Sequence, residues 1–180
     1  MGDNAVQSST GVSVSSYQNL DGSNFTLAGI DYKEKADNLS AGLFFGAGTT
    51  FAKKDAFGIV ADVKASHNYT GVLNQNLRLR GKMGTDNTSL QVRYSPLSVD
   101  VPVGENTNLY GNLHYCGQLN KNYATKSTTW KNSCGAFAGV TQKIDKNTSV
   151  SLEVQRYNLQ NIKDNSSANW GINASISYKF

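Results

Sequence analysis

The sequence predicts an all-β fold built on a single antiparallel sheet of about ten strands, and three observations point there. Apolar side chains recur at every second position over most of the chain, the signature of a strand whose faces see different surroundings. Clusters of Asp, Asn, Gly and Lys punctuate these runs at regular intervals. No segment holds a 3.6-residue period over ten residues, so no helix is expected. The composition agrees: 180 residues carry 17 Gly, 9 Tyr and only 2 Pro.

The elements follow in order. Val12 and Val14 mark a strand over 8–17. Ala28, Ile30 and Tyr32 mark 24–33, and Leu39, Ala41, Leu43, Phe45 and Phe51 share one face of 39–52. Phe57, Ile59, Ala61 and Val63 define 56–67; Leu77, Leu79 and Met83 define 71–83. In 88–103, Leu90, Val92 and Tyr94 are even, but Val99 and Val101 are odd. That parity switch predicts a bulge near Pro96, because proline cannot donate to a ladder. Leu109, Leu113 and Tyr115 mark 107–117, and 133–143 follows. Val150, Leu152 and Val154 mark 148–158; Trp170, Ile172, Ala174, Ile176, Tyr178 and Phe180 mark 169–180. The turn signals include Asp21-Gly22, Lys53-Lys54-Asp55 and Asp145-Lys146-Asn147. Links at 104–106 and 144–147 are short, whereas 117–132 and 159–168 read as long polar loops. Eight strands is the alternative count, if the irregular N-terminal third merges into fewer elements.

Composition narrows the class. Lys and Arg number 17 against 13 Asp and Glu, a net charge of +4 without a basic block, so nucleic acid is not an expected partner. No apolar run is long enough for a transmembrane helix. Hydrophobic residues, Gly not counted, make up 38% of the chain, below the about 45–50% of soluble domains, a figure that also counts Gly. That is little to fill the core of a two-sheet sandwich, yet enough to cover the outside of a barrel. The strand faces opposite the apolar ones carry Asp62, Lys64, Arg78, Arg80, Lys82, Arg93 and Glu153. A water-filled or side-chain-filled lumen accommodates them, as does a soluble surface. The N-terminus shows neither a basic region nor an apolar signal core, so export implies a leader already removed.

The closing segment decides between these. A strand ending in Phe180, with Tyr178, Ile176, Ala174, Ile172 and Trp170 at two-residue steps before it, resembles the terminal signal of bacterial outer-membrane β-barrels. Residues 107–115, 136–140, 148–154 and the last strand are similar to the second half of small OmpA/OmpX-type barrels; the first hundred or so match only in character. The resemblance implies a closed antiparallel transmembrane β-barrel in a bacterial outer membrane, formed by residues 1–180 as one domain. Its implied partners are outer-membrane lipid, lipopolysaccharide and the assembly machinery that reads the terminal strand. It also implies surface interaction through exposed loops (adhesion or resistance), envelope structure, or a narrow channel.

Candidate sites are few. Cys116 and Cys134 flank the 117–132 segment and are expected to pair in an oxidising compartment, although simple alternation points them to opposite faces. Tyr123, Lys126, Trp130 and Lys131 are the loop residues expected to meet a host or extracellular ligand. The basic set on adjacent strands, with Asp62, Glu153 and Asp100 as counter-ions, is the alternative site: an anion-favouring lumen or an internal salt-bridge plug. His67 and His114 stand without HExxH, paired CxxC or an acidic calcium loop, so neither metal nor cofactor is expected. No GxSxG occurs, and the chain is not expected to be an enzyme. The Asn-x-Ser/Thr sequons at Asn24, Asn38, Asn68, Asn87, Asn147, Asn165 and Asn173 read as composition rather than glycan sites. A soluble ligand-binding barrel is the remaining reading.

Overall fold

The computed structural model describes residues 6–18, 24–50, 57–159 and 169–180. Among them, ten strands follow one another: β1 (Gln7–Gln18), β2 (Asn24–Ala36), β3 (Leu39–Thr50), β4 (Phe57–Thr70), β5 (Leu73–Gly84), β6 (Asn87–Pro102), β7 (Thr107–Asn122), β8 (Thr128–Lys143), β9 (Thr148–Arg156) and β10 (Trp170–Lys179). Each pairs antiparallel with its sequence neighbours, and β1 pairs with β10, with Val12 opposite Tyr178 and Val14 opposite Ile176. The sheet is therefore a closed barrel. Closure pairs every strand with a neighbour on both sides, the condition for placing a sheet in hydrocarbon.

The two-residue alternation becomes an inside and an outside. Outward-facing Leu152, Ile172 and Ile176 are 50%, 65% and 50% exposed, while inward-facing Asp62 and Gln155 are 2% and 1% exposed. Apolar residues thus form an exposed ring around the wall: Leu43, Ile59, Leu79, Leu90, Leu113 and Val154 are part of it. An exposed apolar surface of this extent marks contact with a membrane. On β10 the apolar stripe runs from Trp170 to Tyr178 and on β7 from Leu109 to Leu119, matching the roughly 9–11 residues a tilted strand needs to cross. The chain is a transmembrane β-barrel.

The first and last strands bring their outer ends together, where Phe180 N–H donates to Thr10 O at 2.9 Å. The turns at this end are short: 37–38, 71–72, 103–106 and 144–147. Asp37 takes φ 48°, as tight hairpins require of a turn residue. At the opposite end, 85–86 and 123–127 are described; the Asp21-Gly22 and Lys53-Lys54-Asp55 turns and nearly all of the 159–168 loop lie outside the described residues. The register shifts between Tyr94 and Leu97, around Pro96. This irregularity resets β6 so that Tyr94 and Leu97 both face out and Ser95 and Ser98 both face in. Further shifts fall at Asn68/Thr70 and Asn74/Asn76.

Two expectations change. The 117–132 segment is not a long loop: β7 runs to Asn122 and β8 begins at Thr128, so only 123–127 turns. The ladder continues because Gln118 faces Lys131 and Leu119 faces Trp130 in unbroken register. Second, the Cys116–Cys134 disulfide is absent. Cys134 lies opposite Tyr115, while Cys116 lies opposite Ser133. One residue of offset puts Cys116 inside, fully buried, and Cys134 outside, exposed. A disulfide would have to pass through the barrel wall.

Candidate functional site

The interior is built from the register. β4, β5 and β6 align Asp62 with Arg80 and Lys64 with Arg78, and then Arg80 with Gln91 and Arg78 with Arg93. Inward even positions on β4 and β5 thus put one acid among several bases. Asp62 accepts from both neighbouring guanidiniums. Arg78 Nε donates to Asp62 Oδ1 at 3.0 Å and Oδ2 at 2.8 Å, and its second nitrogen also contacts Oδ2. Arg80 Nε and a terminal nitrogen donate to Oδ2 at 3.3 and 3.0 Å. This forked arrangement suits guanidinium better than ammonium, because planar N–H pairs match a carboxylate edge.

The other predicted lumen charges are dispersed. Lys82 Nζ stands 4.4 Å from the Phe25 ring centroid, an attraction between the cation and the ring's negative face. Arg93 donates to Tyr157 Oη at 3.0 Å. Glu153 accepts from Asn173 Nδ2 at 2.8 Å on the β9–β10 wall. Asp100 lies near the opening at the end of the barrel where β1 and β10 meet.

Three features escaped the sequence reading. Phe25, Leu27 and Val60 form a dry cluster inside the barrel, with Phe44 packed against it. Parity held the clue, since Phe25 and Leu27 are odd on a strand whose outward residues are even. Phe44 fits because it faces Gly29 and Gly46, where an added Cβ would stand 2.6 Å from its ring carbon. Across the lumen, His114, Gln118, Ser133, Gln155 and Tyr157 are buried as a polar counterpart. Gln91 Nε2 donates to Gln118 Oε1 at 3.3 Å, which ties β6 to β7 inside the barrel. A third feature is an opening of about 450 Å³ at the end where β1 and β10 meet, lined largely by amides and hydroxyls.

At the opposite rim, Tyr123 and Lys126 occupy the 123–127 turn, Tyr123 hydrogen-bonded to Thr88, and Lys126 takes φ 53°. Trp130 and Lys131 instead belong to β8, and Trp130 lies over Gly117 on the outer face. All four side chains are exposed. On β10, Trp170 stacks with the Arg156 guanidinium, 4.9 Å from ring centroid to Cζ. Ile172, Ala174, Ile176 and Tyr178 continue down the outer face to Phe180, whose ring meets Tyr178 edge-on at 5.7 Å. Among the described residues no group of His, Cys, Asp and Glu is arranged to hold a metal ion.

No family model matches the chain and no curated protein matches it. Solved structures do. The KdgM porin aligns over 98% of this chain and 99% of its own, with 12% identity and a TM-score of 0.43. The N-terminal β-barrel domain of Pseudomonas aeruginosa OprF aligns over 98% and 100%, with 14% identity and a TM-score of 0.41. A loop-deletion variant of OmpT, an outer membrane protein of Vibrio cholerae, aligns over 87% of this chain at 13% identity and a TM-score of 0.42. The chain spans about half of that protein, 54% of its length.

Proposed function

We propose that the chain is a bacterial outer-membrane barrel of the small OmpA/OmpX-like kind. Its filled interior acts as a rigid stand for a surface-interacting rim. One observation carries this reading. In a ring of ten strands β4 and β9 lie opposite each other, and Val60 and Asp62 on one and Gln155 on the other are 0%, 2% and 1% exposed. In this reading, buried side chains on facing walls leave little open passage between them, as small barrels commonly do. Such a barrel gains little from conduction and much from rigidity, and its chemistry then lies at the rim.

In this reading Tyr123 and Lys126 on the turn, with Trp130 and Lys131 below them on β8, form the contact for a host or extracellular ligand. Trp170 to Phe180 serve as the strand read by the assembly machinery, and the apolar ring meets lipid and lipopolysaccharide. The test is to replace 123–127 by a two-residue Asn-Gly turn and exchange Trp130 and Lys131 for Ser. Cells displaying the barrel should lose binding to host cells or matrix while the purified protein keeps its heat-modifiable gel migration. Undiminished binding with a folded barrel would overturn the proposal.

A second reading is favoured by the surplus of base over acid: Lys64, Arg78, Arg80, Lys82 and Arg93 against Asp62 and Glu153. It makes the barrel a narrow anion path. Planar-bilayer recordings decide it, since conductance altered by Arg78→Ala or Arg80→Ala supports the path and electrical silence rejects it.

A further inference from the structure

The opening at the β1–β10 end differs in chemistry from the rest of the interior. Its volume is about 450 Å³, within the roughly 300–1,000 Å³ of small-molecule sites. Its wall is a ladder of amides and hydroxyls from adjacent strands. Asn68 Nδ2 donates to Asn74 Oδ1 at 2.7 Å, and Asn76 Nδ2 donates to Ser98 Oγ at 2.6 Å. Ser40 and Ser66 share a hydrogen bond of 2.8 Å. An amide offers two donors and an acceptor with two lone pairs. Each of these asparagines therefore commits one end to its neighbour and keeps the other. Among the described residues, Asn68 Oδ1, Asn74 Nδ2 and Asn76 Oδ1 take no partner. The result is acceptor, donor, acceptor on one wall of one opening, held in place by the bonds already made.

The opposite side supplies an apolar plate. Tyr110 and Phe137 both line the opening and meet edge-to-face, with centroids 5.8 Å apart and planes at 75°. Tyr110 lies against the wall because β8 places Gly139 beside it, where a Cβ would stand 2.6 Å from the ring. Charge selects among ligands. Lys35 is the cation in the lining, against Asp37 and Asp100, and the arginines around Asp62 are not part of it. Phosphates and uronic acids thus meet no favourable field, while a neutral molecule bears no penalty.

Alternating donors and acceptors facing an aromatic plate match a ring that carries vicinal hydroxyls on its rim and C–H groups on its face. We propose that this vestibule binds a neutral saccharide of one or two rings. The site lies at the end of the barrel opposite the Tyr123 and Lys126 turn, so its fate is independent of the rim reading.

The test uses the full chain refolded in a saccharide-free amine-oxide detergent. Maltose, cellobiose and diacetylchitobiose serve as neutral probes and digalacturonate as the acidic comparator, followed by titration calorimetry and saturation-transfer NMR. At least one neutral disaccharide should saturate with a Kd of roughly 1 mM or tighter. Asn74→Ala and Asn76→Ala, each checked for folded gel migration, should weaken it about tenfold, or about 1.4 kcal/mol, and Lys121→Ala should leave it unchanged. Three results would overturn the proposal: no saturable binding of any neutral probe, binding indifferent to both asparagine substitutions, or tighter binding of digalacturonate.

Discussion

Replacing Asp62 by Asn tests whether the barrel interior is as dry as its packing indicates. The carboxylate is 2% exposed and is shared by Arg78 and Arg80, whose side chains are 23% and 10% exposed. Removing its charge leaves two guanidiniums facing each other, with Lys64 and Arg93 opposite Arg78 in the ladder. Two unit charges about 4 Å apart interact by about 4 kcal/mol at an effective dielectric of 20, and by about 1 kcal/mol in bulk water. Breaking a buried pair by removing one partner costs about 3–5 kcal/mol in measured cases. Asp62→Asn should therefore lower the unfolding free energy by about 3 kcal/mol or more. The assay is urea unfolding of the refolded barrel in lipid vesicles, followed by tryptophan fluorescence and gel migration. The triple change Asp62→Leu, Arg78→Met, Arg80→Met removes all three charges together and should restore most of the loss. A cost of about 1 kcal/mol or less for Asp62→Asn would refute the reasoning. It would mean that water screens the cluster, and the filled-lumen reading would fall with it.

Further outcomes are expected. In the native barrel, Cys134 should react with a lipid-soluble maleimide and not with a membrane-impermeant, charged one, whereas Cys116 should react with neither until the barrel unfolds. Mass analysis counts the adducts, and a native barrel with both thiols oxidised would contradict the offset across the wall. Asp145, in the β8–β9 turn, accepts from Asn147 N–H at 2.7 Å, Thr148 N–H at 2.8 Å and Thr148 O–H at 2.9 Å. Those bonds hold its pKa below the usual 3.8, the Asn147 bond first among them. A depressed carboxylate stabilises the fold above its unfolded pKa, and that contribution disappears as pH falls through the folded value. Unfolding scans between about pH 5 and pH 2 should therefore show a wild-type decline that Asp145→Asn flattens, and parallel profiles would exclude the turn as its source.

The alternation of apolar residues was enough to locate the strands, because side-chain direction along a strand is a property of the backbone and needs no partner. Val150, Leu152 and Val154 declared a common face, and the parity switch from Tyr94 to Val99 declared the irregularity at Pro96. The same rule already carried the separation of Cys116 and Cys134, although proximity along the chain argued for a bond. The apolar cluster inside was legible in principle too, in the odd parity of Phe25 and Leu27. The length of the β7–β8 hairpin was not. Gln118, Asn120, Thr129 and Lys131 look like loop residues, and only their pairing across the hairpin keeps them in the ladder.

Tertiary structure decided everything that depends on which residues face one another across the barrel. Register placed Asp62 between Arg78 and Arg80 and set Glu153 opposite Asn173, positions invisible to charge counting. Closure set β4 opposite β9, so that the inner faces of strands distant in sequence share one interior. Periodicity is fixed residue by residue along a chain, but contact across a lumen exists only once β1 has met β10. For that reason the sequence by itself determined the strands and their two faces, and the closed ring determined what the inner face can bind.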